Sequence, residues 1–227
     1  MEFVGIDKFS LLDYDEKISV VLFSPACNFR CPFCHNGDSV LNSKASINFE
    51  EIITYLKTKR GLIDAVVISG GEPTLMPELE KRIKEIKELG FLVKIDTNGT
   101  NPDVLRTLIN ENLIDYVAMD IKNSESLYPM TSGCNTDYIK NIKESLEILR
   151  NSKIKYELRT TLVKEFHTTK SINEMKELVK GHRKLYLQKF VDREGVIKKG
   201  LHEISLEEAI SFKNILSEVI ETELRGY

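Results

Sequence analysis

The segment Ser24-Pro25-Ala26-Cys27-Asn28-Phe29-Arg30-Cys31-Pro32-Phe33-Cys34-His35-Asn36 directly follows a short apolar run, Ile18–Phe23, that reads as a strand. It holds three of the chain's four cysteines in a CxxxCxxC spacing. A loop of this length can turn three thiolates toward one point, and Pro32 stiffens the path. Soft thiolates suit iron–sulfur clusters, zinc or copper. Three local cysteines with no obvious fourth would leave one iron of a cubane open to an exogenous ligand, whereas a structural cluster normally uses four thiolates. The rival is a Cys₃His zinc site with His35 as fourth ligand. Adjacency of Cys34 and His35 makes joint chelation awkward, and no second zinc-finger half follows. Cys134 lies about a hundred residues away and reads as a small buried hydrophobe or a bystander thiol.

Outward from this segment, β-rich apolar runs alternate with amphipathic helical stretches. Further strands are predicted at Ala65–Ser69, Leu92–Asp96, Tyr116–Met119, Lys155–Thr161 and Leu185–Phe190. Glu78–Leu89 carries Leu79, Ile83, Ile86 and Leu89 at helical spacing, with Pro77 suited to its first turn. Asn101-Pro102 opens another helix, and Tyr138, Ile142, Leu146 and Leu149 mark the one before the fifth strand. Ser171 with Glu174, and Ser205 with Glu208, read as capping boxes. Six strands separated by helices argue for parallel βαβ units, an α/β fold, without separating an open sheet from a barrel. One domain over residues 1–227 is expected. Residues 1–17 form an N-terminal extension, a hairpin over one end of the sheet. Residues 205–224 form a C-terminal packing helix after a charged connection at 191–204.

The 227 residues are 41% hydrophobic and 30% charged, enough for a sizeable core. A formal charge of −3 shows no basic excess, so neither nucleic acid nor an anionic membrane is an expected partner. The first residues, MEFVGIDKFS, lack signal-peptide features, and no apolar run reaches membrane-span length. Four cysteines do not make a disulfide framework, and a cytoplasmic protein is expected.

Three more motifs stand at predicted strand ends in chain order: Ser69-Gly70-Gly71-Glu72-Pro73, Asp96-Thr97-Asn98-Gly99 and Met119-Asp120-Ile121-Lys122. With CxxxCxxC after the first strand, they resemble the radical S-adenosylmethionine (SAM) superfamily. Together with Cys34-His35-Asn36 they resemble its glycyl-radical-enzyme activases. The closest resemblance is to the branch that activates anaerobic ribonucleoside-triphosphate reductase. The opening Gly5-Ile6-Asp7-Lys8-Phe9-Ser10-Leu11-Leu12-Asp13-Tyr14 and the late Tyr186-Leu187-Gln188-Lys189-Phe190 strengthen that likeness. Two segments depart from it. Members often have Pro-Gly after the early Asp-Tyr and Gly before the first cysteine, where this chain has Asp15-Glu16 and Ala26. No cysteine-rich ferredoxin insert is present, which points to a single cluster.

The resemblance implies a partial (β/α)₆ TIM-like barrel and one [4Fe–4S] cluster on Cys27, Cys31 and Cys34, with SAM on the open iron. Gly70 and Gly71 would admit backbone groups beside SAM without a Cβ clash. Glu72 is a cofactor-side acceptor or a local brace. The resemblance also places Phe33 and Asn98 beside the cofactors, with Phe29 as a further shield. Asp96, Thr97, Asp120 and a carbonyl near Ala118 would hold a monovalent cation, Na⁺ or K⁺; the plainer reading of the aspartates is strand-end caps. Lys122 would approach the SAM carboxylate, or be a solvated lysine. Arg159 would pair with an acid or with SAM. His35 and Asn36 shape the cluster surroundings, and His167 reads as a solvent-exposed loop residue. The implied activity is reductive cleavage of SAM and removal of a hydrogen atom from a partner's glycine, with a flavodoxin- or ferredoxin-like electron donor. Alternatives are a small-molecule radical SAM enzyme, such as 7-carboxy-7-deazaguanine synthase, and a noncatalytic zinc- or iron-binding module.

Overall fold

The computed structural model describes residues 2–41 and 45–227. Its strands are β1 (Gly5–Ser10), β2 (Ser19–Ser24), β3 (Ala65–Gly70), β4 (Leu92–Thr97), β5 (Tyr116–Asp120), β6 (Lys155–Leu162), β7 (Lys184–Lys189) and β8 (Glu221–Arg225). Between them run α1 (Gly37–Leu41), α2 (Phe49–Lys57), α3 (Leu79–Glu88), α4 (Pro102–Asn110), α5 (Tyr128–Ser132), α6 (Ile139–Asn151), α7 (Thr169–Val179) and α8 (Leu206–Leu216).

One eight-stranded sheet runs in the order β1 to β8. β1 pairs antiparallel with β2, and every later pair is parallel. Each parallel neighbour requires a crossover, and each crossover carries a helix. Sequential order with one handedness puts those helices on one face and curls the sheet around the other, as in a TIM-like barrel. No ladder among the described residues joins β1 to β8, so the barrel is partial.

The strand residues divide by face. Val20, Leu22, Val66, Ile68, Val93, Ile95, Val117 and Met119 are buried beneath the helices in the main core. In α3 the matching stripe is Leu79, Ile83 and Ile86; full burial of each isoleucine contributes ~1.5–3 kcal/mol. On the concave face, Val21, Ala65, Val67 and Tyr116 make a small apolar floor with Tyr14. Tyr14 comes from the β1–β2 connection and meets Tyr116 edge-on, ring centroids 5.4 Å apart. Above this floor the inward positions turn polar, with Lys94, Asp96, Asp120, Glu157 and Arg159, and there the site lies.

All six strands expected from the sequence are present, and the structure adds two. β1 extends the sheet at one edge. At the other, the expected C-terminal helix stops at Leu216, and Glu221–Arg225 pairs with β7 as β8. The cap of α7 also differs. Thr168 accepts from the Ser171 N–H, and the Ser171 hydroxyl accepts from the Thr168 N–H, so the cap lies three residues before the expected one at Ser171. Ser205 caps α8 through the Glu208 N–H, one half of the expected capping box.

Candidate active site

The cysteine loop leaves β2 and is pinned on three sides. Ala26 adopts a left-handed φ of 56°, and its carbonyl accepts from the Glu72 N–H at 2.8 Å. The Gly71 N–H reaches Ser24 O at 3.0 Å. A Cβ on Gly71 would lie 1.8 Å from the Ala26 oxygen. The close approach that needs glycine here is therefore made by the cysteine loop's own backbone. On the second side, Arg30 N–H donates to Ser132 O at 2.9 Å, and Gly133, at φ 62°, packs under Arg30. On the third, the segment after β7 crosses the loop. Lys198 N–H donates to Pro32 O, Gly37 N–H donates to Gly195 O, and His35 Nε2 bonds Val191 O at 2.9 Å while its ring stacks on Phe190.

Cys27, Cys31 and Cys34 line one cavity of about 370 Å³ with Phe29, Phe33, His35 and Asn36. That volume is in the range of small-molecule pockets. Burial pushes the Cys27 thiol up to about 11 and Cys31 up to about 12, and raises Cys34. Thiolates here consequently need a positive partner. A cubane takes one thiolate per iron, a wider triangle than one ion needs. No group of three His, Cys, Asp or Glu side chains among the described residues converges on a single-ion site. The donor set and cavity fit an iron–sulfur cluster.

Gly70, Gly71, Glu72, Asp96, Thr97 and Asn98 form the next wall of the same cavity. Of Glu72's two readings, the brace is the one realised. Its Oε1 accepts from the Thr74 N–H and from the Thr74 and Thr97 hydroxyls at 2.6–3.1 Å, and Oε2 accepts from the Asn98 N–H at 2.7 Å. Burial raises its pKa, and these four bonds pull it back. Thr97 is thus turned to Glu72. Asn98 links Nδ2 to Asn28 Oδ1 at 2.8 Å, tying the cysteine loop to the end of β4, with Cys27 Sγ 4.0 Å from the same nitrogen.

Asp96 and Asp120 do meet at the rim, bridged by Arg159. Its Nε donates to Asp120 Oδ1 at 3.0 Å, and its Nη1 lies 3.3 Å from Asp96 Oδ2. Lys122 Nζ donates to Asp120 Oδ2 at 2.9 Å and lies 5.9 Å from the Phe33 ring centre. Burial alone would raise the Asp120 carboxyl, but Arg159 and Lys122 hold it down at about 2. Both cations are raised, because Asp120 outweighs the cost of burying them. Lys122 is therefore an enclosed ion-pair partner, not a solvated lysine. Asp96 Oδ2 accepts from Ser69, while Oδ1 is buried with no hydrogen-bond partner.

His167 is a correction. It is 1% exposed, lodged between the turn after β6 and the backbone of Lys122. Asp13, Phe23, Val40, Ser69, Thr161 and Gln188 also line the cavity, and the sequence reading assigned none of them a site role. Thr161 and Gln188 carry the signal that could have found them: each is an even step along its strand from an inward residue.

Residues 21–179 match the radical SAM superfamily. The chain belongs to the radical SAM superfamily. Membership makes it a radical SAM enzyme and implies a [4Fe–4S] cluster and SAM. A candidate glycyl-radical enzyme activating enzyme of Methanocaldococcus jannaschii is 39% identical over 190 residues, 82% of this chain and 78% of that one. A pyruvate formate-lyase-activating enzyme of Staphylococcus aureus is 38% identical over 86 residues, 35% of this chain and 34% of that one. The fold is similar to that of a radical SAM methyltransferase from Sphaerobacter thermophilus, with a TM-score of 0.73 at 16% identity, over 93% of this chain and 67% of that one. No helix among the described residues is long and apolar enough to cross a membrane.

Proposed function

We propose that this radical SAM enzyme is a glycyl-radical-enzyme activase whose partner is an anaerobic ribonucleoside-triphosphate reductase. The observation that carries the reading is the 39% identity, across 82% of the chain, to a candidate activating enzyme. Cys27, Cys31 and Cys34 would hold one [4Fe–4S] cluster, with SAM at the iron they leave free. When bound, the cluster and SAM would supply the radical chemistry: reductive cleavage of SAM with one electron from a flavodoxin- or ferredoxin-like donor, and removal of a hydrogen atom from the partner's glycine Cα to give 5′-deoxyadenosine and a glycyl radical.

The chain's own residues bind, orient and shield. Lys122 carries positive charge toward the SAM carboxylate from a half-buried position. Arg159 neutralises two strand-end carboxylates in a low-dielectric cavity, where unpaired charge is costly. Asp96 Oδ1, which accepts no hydrogen bond and has Lys94 Nζ 3.6 Å away, is the oxygen we assign to Na⁺ or K⁺ beside SAM. Phe29 and Phe33 keep water from the cysteine loop. Gly70, Gly71, Glu72 and Asn98 fix the loop that carries the thiols. A glycine is a chemically reasonable target: without Cβ its α-radical flattens with little steric opposition, and its backbone passes a narrow opening. The unclosed side of the barrel gives such a segment a way in.

The test is anaerobic incubation of the reduced enzyme and SAM with the cognate reductase, followed by electron paramagnetic resonance. A doublet-like radical signal that disappears with a Gly→Ala reductase supports the assignment. SAM cleavage with no protein radical on any glycyl-radical partner, and turnover only with a small metabolite, would end it.

A further inference from the structure

Lys122 stands two residues past the inward Asp120, just beyond the end of β5, and both of its backbone polar groups are held by side chains. Its N–H meets the Tyr128 hydroxyl at 3.2 Å, and its carbonyl meets His167 Nε2 at 3.0 Å. Tyr128 lies in α5 and His167 in the turn after β6; they are 3% and 1% exposed. Backbone groups past a strand end ordinarily go to water or to other backbone. Here two buried side chains from separate segments grip one peptide unit on each side.

The histidine's tautomer follows from its partners. Lys122 O can only accept, so Nε2 carries the proton. Nδ1 then presents its lone pair to the Val163 N–H, 3.0 Å away and nearer than the Val163 carbonyl at 3.2 Å. Burial lowers this histidine to about 4, which keeps it in that neutral form. The next residue repeats the pattern: Asn123 Nδ2 donates to Thr131 Oγ1 at 3.0 Å in α5 and to Phe166 O at 2.8 Å in the same turn. A polar cross-brace thus ties α5 to the turn after β6 through Lys122 and Asn123.

A lysine is a point charge on a four-carbon stem that loses about 2 kcal/mol of rotamer freedom when fixed. Its useful reach depends on where its Cα is held. We propose that His167 and Tyr128 are positioning residues that set the reach of Lys122 into the SAM cavity. This rests on the reading above that Lys122 faces the SAM carboxylate. Without the two grips, the Lys122 peptide can drift, and the ammonium loses its place between Asp120, Phe33 and the cofactor.

The test is a double-mutant cycle on SAM affinity, by equilibrium dialysis of anaerobically reconstituted protein, with iron content and melting temperature as controls. Lys122→Met should weaken SAM. His167→Phe should weaken it about tenfold, the effect of one lost buried hydrogen bond. In the Lys122→Met background, His167→Phe should add nothing, because there is no ammonium left to misplace. His167→Gln, which keeps a donor and an acceptor, should recover most of the affinity. If His167→Phe does not fold, Tyr128→Phe keeps its ring and completes the cycle. In the metal-free protein, nitrogen-15 spectra should show His167 protonated at Nε2 alone from about pH 8 to about pH 5.

Equal loss from His167→Phe in both backgrounds would make its role structural and overturn the proposal. So would a proton on Nδ1. A Lys122→Met variant with unchanged SAM affinity would overturn it differently, by removing the cofactor role of Lys122 itself.

Discussion

Arg159 and Asp120 are register partners on neighbouring strands and hydrogen-bonded at 3.0 Å, Nε to Oδ1. Because Nη1 of the same guanidinium also lies 3.3 Å from Asp96, one side chain ties the rims of three strands together. Removing it takes the shared cation from both carboxylates, leaving Asp120 to Lys122 and Asp96 to Ser69 and Lys94. Arg159→Ala should cost about 3–5 kcal/mol, the usual penalty for breaking a buried ion pair from one side. Urea unfolding of the metal-free protein measures this; a loss under about 0.5 kcal/mol would place the pair among surface ion pairs in strength.

Two buried histidines predict a loss of stability in mild acid. His167 and His182 are both lowered from 6.5 to about 4, chiefly by burial. Between those values the unfolded chain binds more protons than the folded one. Stability should therefore be full above about pH 6.5 and fall as the pH drops toward 4, by up to roughly 3 kcal/mol for each histidine. The variant His167→Gln/His182→Gln should flatten this slope between about pH 6.5 and 5. Parallel pH profiles for variant and parent would contradict the assignment.

The glycines and near-glycines around the cysteine loop make opposite predictions. Gly71→Ala drives a Cβ to 1.8 Å from the Ala26 carbonyl, so the cysteine loop must move. Iron incorporation on anaerobic reconstitution should collapse. Ala26→Gly relieves a non-glycine left-handed residue at φ 56°. The relief, less the extra freedom of the unfolded glycine, should add about 0.5–1 kcal/mol. Equal iron uptake by Gly71→Ala and the parent would mean the loop has slack that this packing denies.

The three loop cysteines and Cys134 should separate cleanly. Replacing Cys27, Cys31 or Cys34 by Ala should abolish SAM cleavage and lower bound iron and sulfide from about four of each per chain. Cys134→Ala should keep both. Zinc at about one equivalent in anaerobic native protein, with no cluster after reconstitution, would favour a mononuclear site.

Strands β2 to β7 were legible because runs such as Ala65–Ile68 are apolar, β-rich and closed by turn residues. β1 and β8 were not. Their sequences, GIDKFS and ETELR, belong to the two ends of the sheet and lack the buried apolar run. Glu221–Arg225 is built largely from helix formers and becomes a strand only by pairing with β7. The strand-end motifs were legible as a set, but the partners of their side chains were not. Glu72 reads equally as ligand or brace until its four donors are seen. His167 sits among polar residues, and only the approach of the Lys122 carbonyl explains its burial. Of the residues that depart from the activase pattern, Asp15, Glu16 and Ala26, the two that stand where glycine is common, Glu16 and Ala26, both have left-handed backbone, at φ 61° and 56°.

The most direct test of the activase account is isotope transfer. The reduced enzyme and SAM are incubated with a reductase carrying deuterium at its glycine Cα, and the 5′-deoxyadenosine formed is analysed by mass spectrometry. The account predicts one deuterium gained in 5′-deoxyadenosine in step with formation of the glycyl radical. Unlabelled 5′-deoxyadenosine accompanying a full yield of that radical would contradict direct hydrogen abstraction from the partner glycine.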